Sequence, residues 1–117
     1  MKKILLLICA IVASISAGYA QSNYDLDLAE KYTREAKYYQ QKAEEYHRDA
    51  NYYLGKAKEY QKEVVYYTRK GNIDRAKTRT RHYEDAMDKY KLRVRYAEEA
   101  EEKAASYHRK AASVLRK

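Results

Sequence analysis

The chain has 117 residues, with 25 Lys and Arg against 17 Asp and Glu for a formal net charge of +8, and it contains no Pro, Phe or Trp. Its single cysteine excludes an internal disulfide. Because large aliphatic side chains are scarce, a conventional globular core is excluded as well, and alanine and tyrosine must fill the interior.

The first twenty residues read as a leader. Lys2-Lys3 precede an apolar run over residues 4–15 and a small-residue stretch, Ser16-Ala17-Gly18-Tyr19-Ala20. That order predicts a secretory signal peptide, residues 1–20, cleaved after Ala20. A retained anchor fits less well, since a bilayer span needs about 20 apolar residues. Cys9 follows Leu7 and Ile8 rather than small residues, which argues against a lipoprotein cysteine. The expected mature chain, 21–117, loses Lys2, Lys3 and Cys9, keeps 23 basic and 17 acidic residues, and has no transmembrane span. Its expected destination is the periplasm, the cell surface or the extracellular space.

Residues 29–70 repeat one fourteen-residue pattern three times: AEKYTREAKYYQQK, AEEYHRDANYYLGK and AKEYQKEVVYYTRK. Five positions are identical in the three copies: the opening Ala, the Tyr at the fourth place, the Tyr-Tyr pair at the tenth and eleventh, and the closing Lys. Fourteen residues are two heptads, so the repeat predicts a coiled-coil helix over about 24–70. Asn23 or Asp25 can cap it, and Asp25, Asp27 and Glu30 suit its positive end. One inner row is Ala29, Ala36, Ala43, Ala50, Ala57 and Val64; the other is Tyr32, Tyr39, Tyr46, Tyr53, Tyr60 and Tyr67.

Gly71-Asn72 is the stop-and-restart signal. Gly suits the left-handed position after a helix, and Asn caps the next one. Helix two is then expected over about 73–116, with inner rows Ala76, Tyr83, Tyr90, Ala97, Ala104, Ala111 and Arg79, Ala86, Arg93, Ala100, Tyr107, Val114. Two arms of matching length about a short turn predict an all-α fold: a long antiparallel two-helix coiled-coil hairpin with an Ala/Tyr seam, pairing into a helical bundle. Folding back between Gly71 and Asn72 makes facing residue numbers sum to about 143. Large then faces small in most layers, with double-aromatic layers expected at Tyr53–Tyr90 and Tyr60–Tyr83.

Three sets of side chains remain as functional candidates. Tyr24, Tyr38, Tyr52 and Tyr66 recur every fourteen residues on a face turned from the seam, which suggests a second contact surface for another hairpin, or for stacking on glycan rings. Arg69, Lys70, Arg75, Lys77, Arg79 and Arg81 make the turn basic. Cations in the first turns of helix two oppose its dipole, so an anion bound at the tip would account for them. Lipid phosphate, lipopolysaccharide, an acidic glycan or an acidic protein would serve; nucleic acid fits the charge but conflicts with export. The third set, Glu44 with His47 and His82 with Asp85, has near-ligand spacing without a second motif to complete a metal site. No cofactor, metal or catalytic group is expected. The function expected is that of an exported structural or interaction protein, a homo-oligomer formed through tyrosine-rich faces; the alternative is an envelope- or anion-binding module acting through the basic tip.

Overall fold

A computed structural model describes residues 23–116 of the chain. The expected leader, 1–20, lies outside the described residues. Two helices account for nearly all of them: α1, Asn23–Arg69, and α2, Ile73–Leu115, with no strand among the described residues. They pack against each other as an antiparallel helical hairpin. The chain divides into two compact units, residues 23–43 with 98–116, and Glu44–Ala97, and both helices contribute to each.

The turn follows from its residues. Gly71 has φ +76°, the left-handed region where a side chain is strained. Its N–H donates to Thr68 O at 3.1 Å and the Asn72 N–H donates to Tyr67 O at 2.9 Å, which satisfies two carbonyls that α1 leaves open. Asn72 then starts α2: its Oδ1 accepts the Arg75 N–H at 3.2 Å and its carbonyl accepts the Ala76 N–H at 3.1 Å. Gly55 does not interrupt α1; it lies exposed inside the continuous helix.

Small residues make the seam. On α1, Ala29, Ala36, Ala43, Ala50 and Ala57 are buried, while Val64, near the turn, is half-buried. From α2 come Ala76, Ala86, Ala97, Ala100, Ala104, Ala111 and Val114. Tyr32, Tyr39, Tyr46, Tyr53, Tyr60 and Tyr67 are half-buried. No large side chain among the described residues is fully buried, so the interior depends on rings that keep one edge near water.

The expected aromatic layers at Tyr53–Tyr90 and Tyr60–Tyr83 give way to other contacts. The Tyr53 ring lies 5.7 Å from Lys89 Nζ and 5.8 Å from the Arg93 guanidinium, and the Tyr60 ring meets the His82 ring at 5.2 Å. A long helical side chain leans back toward its own N-terminus, over the preceding turn. The ring of Tyr53 therefore passes Tyr90 and settles between the cations on either side.

Candidate functional site

Each inner tyrosine of α1 has a residue of α2 beside its ring at the position where the two residue numbers sum to 142, and four of the six have a second α2 neighbour as well. In the unit of residues 23–43 with 98–116, Lys110 lies 5.9 Å from the Tyr32 ring and Lys103 lies 5.3 Å from that of Tyr39. Tyr107 sits between, 6.1 Å from Tyr32 and stacked on Tyr39 at 5.7 Å with an interplanar angle of 6°. In the unit Glu44–Ala97, Tyr96 covers Tyr46 at 5.4 Å, Lys89 covers Tyr53 at 5.7 Å, His82 covers Tyr60 at 5.2 Å and Arg75 covers Tyr67 at 5.6 Å. A cation over a ring face is worth about 0.5–1 kcal/mol at an exposed site. Four of the six covers are thus Lys or Arg, which close the open edge of the tyrosine row.

This finding revises the reading of the tip. Lys70, Arg75 and Arg79 have roles within the fold: Lys70 lies 5.7 Å from the Tyr66 ring, and Arg75 and Arg79 lie 5.6 and 6.0 Å from that of Tyr67. Arg79, half-buried, also places Nε 2.7 Å from Glu63 Oε2, a bridge between the helices. An anion is not required to account for these three. Arg69, Lys77 and Arg81 are exposed.

The outer tyrosines are exposed, Tyr24 most, with Tyr38, Tyr52 and Tyr66 at 51, 61 and 56 %. The last three are not loose side chains. Each meets the next tyrosine edge to face (Tyr38–Tyr39 at 5.2 Å, Tyr52–Tyr53 at 5.3 Å, Tyr66–Tyr67 at 5.2 Å). Each also has the closing lysine of its repeat near its ring: Lys42 at 5.6 Å, and Lys56 and Lys70 at 5.7 Å. All five positions shared by the three repeats now have a place: a buried alanine, a seam tyrosine, and a three-member stack of outer ring, inner ring and lysine.

His108 lies on α2 just before Arg109 and Lys110. It is 6 % exposed, the one buried polar side chain among the described residues, and neither ring nitrogen has a hydrogen-bond partner. Burial holds its imidazole below the ordinary 6.5. The unfolded chain therefore takes up this proton first as the pH falls. Stability contributed by neutral His108 is complete above pH 6.5 and declines as the pH drops from there through the lower folded-state value. Urea midpoints between pH 7.5 and 5.5 should fall in the natural chain and fall less in His108→Leu; parallel slopes would assign the loss to other groups.

Among the described residues no three metal-ligating side chains come together, and no helix is long and apolar enough to cross a membrane. Comparison with protein-family models, with curated proteins and with solved structures finds no match to this chain.

Proposed function

We propose that this is an exported structural or adaptor protein whose hairpins associate with one another through their outer tyrosines, in the periplasm or at the cell surface. One observation carries the reading: in each repeat the outer ring is more than half exposed yet held against a second ring and a lysine. Holding an aromatic side chain in place before contact removes part of the entropy that association costs. Tyrosines of this kind are the side chains that dominate binding energy at protein interfaces. The same stack occurs in both units, which suits a contact made repeatedly rather than at one point.

Light scattering over a dilution series is the test. The natural chain should show a mass that rises with concentration. Tyr38→Ala with Tyr52→Ala should weaken association by about 100-fold while helicity persists. A mass equal to one chain at every concentration, or association untouched by the double substitution, would refute the reading.

A further inference from the structure

The third repeat departs from the other two around its outer tyrosine. Where Lys37 precedes Tyr38 and Asn51 precedes Tyr52, an aliphatic residue, Val65, precedes Tyr66. The residue four before the outer tyrosine is basic in all three copies (Arg34, Arg48, Lys62), but the residue three after it is Gln41 in the first, Gly55 in the second and a cation, Arg69, only in the third. The result is a shallow groove on the outer face of α1 lined by Lys58, Gln61, Lys62, Val65, Tyr66 and Arg69, with no carboxylate in its lining. Val65 is 44 % exposed at its centre, and Ile73, the first residue of α2, is 52 % exposed at the turn. The nearby carboxylate of Glu59 lies 3.7 Å from Lys56, and that of Glu63 is held by Arg79.

We propose that this face, residues 58–69 with the turn, docks on an anionic lipid surface. The cations match phosphate headgroups in charge. The exposed Val65 and Ile73 match the boundary between headgroups and acyl chains, and a tyrosine ring with a polar tip suits the same depth. An acidic glycan would use the cations but leave both aliphatic residues without a role. This proposal shares Tyr66 with the proposed self-association, but the two are tested at different residues: Tyr38 and Tyr52 there, Lys62, Val65, Arg69 and Ile73 here.

The test uses residues 21–117, which contain α1 and α2 whole, and vesicles of phosphatidylcholine with or without phosphatidylglycerol. The chain has no tryptophan, so a single one reports its own position. Tyr66→Trp should be quenched by brominated acyl chains in anionic vesicles and not in neutral ones, while Tyr24→Trp, in the other unit, should not be quenched. Lys62→Glu with Arg69→Glu, both exposed, should weaken binding at least about twentyfold. Val65→Ser with Ile73→Ser should weaken it about tenfold and abolish the quenching. Circular dichroism checks that each variant remains helical. The proposal falls if both vesicle types bind alike, if both tryptophans are quenched alike, or if the charge-reversed variant still binds. It falls equally if dextran sulfate displaces the chain and Val65→Ser with Ile73→Ser leaves binding unchanged, the behaviour of an acidic-glycan site.

Discussion

Tyr39→Ala is expected to destabilise the fold by about 3 kcal/mol, near the lower end for loss of an aromatic ring because Tyr39 is half-buried. The ring is the centre of a stack: Tyr107 parallel to it at 5.7 Å, Tyr38 edge-on at 5.2 Å and Lys103 at 5.3 Å. Truncation removes this contact from all three, leaving Tyr107 with Tyr32 and Tyr38 with Lys42. The alanines around the seam are too small to close the gap, since Ala36, Ala43 and Ala104 are already buried. Tyr39→Phe keeps the ring and should stay within about 1 kcal/mol of the natural chain. Urea unfolding followed by helical circular dichroism distinguishes the two. Equal losses for alanine and phenylalanine would mean that the hydroxyl, not the ring, is the stabilising group.

The second large effect is expected at the turn. Gly71→Ala with Asn72→Ala should cost about 2 kcal/mol, half from an alanine in the left-handed region and half from the lost cap. The first cost follows from φ +76° at Gly71, the second from the Asn72 Oδ1 that accepts the Arg75 N–H at 3.2 Å. The double variant also favours continuing α1 into α2, because alanine is the best helix former. A continuous helix has lost its own partner and must find it in a second chain, as in domain swapping. Size-exclusion chromatography should therefore show a stable dimer that persists on dilution. A monomer of unchanged stability would show that neither residue governs the fold-back.

The hairpin was legible because two signals agreed. Alanine, with Val64 in the last heptad, and tyrosine alternate at heptad spacing from Ala29 to Tyr67 in one register, and Gly71-Asn72 is the one place where helix chemistry stops and restarts. The lids over the tyrosines were harder to read. Arg75, His82, Lys89, Tyr96, Lys103 and Lys110 stand seven residues apart, so the period was present. Charged and polar residues are usually taken as a solvated face, however, and their role emerges only when the opposite helix supplies the rings. His108 was obscured differently. Its flank of α2 carries Ile73, Thr80, Met87 and Val94 earlier on, and burial there depends on how closely the alanine-lined helices approach, which residue types alone do not state.

The near-identity of successive repeats has a consequence for alignment. Sliding α2 by fourteen residues against α1 would bring Lys89 to Tyr67, Tyr96 to Tyr60, Lys103 to Tyr53 and Lys110 to Tyr46, so four of the six inner phenols would again find an ammonium or aromatic cover, while Tyr32 and Tyr39 would lose those of Lys110 and Lys103. The contact surface works like a ruler with unnumbered marks. Only the short covalent link at Gly71-Asn72 tells the strip where zero is. A protease nick between Arg69 and Ile73 should therefore leave the fragments associated, with the fourteen-residue stagger as a minor arrangement that gives up the layers at Tyr32 and Tyr39.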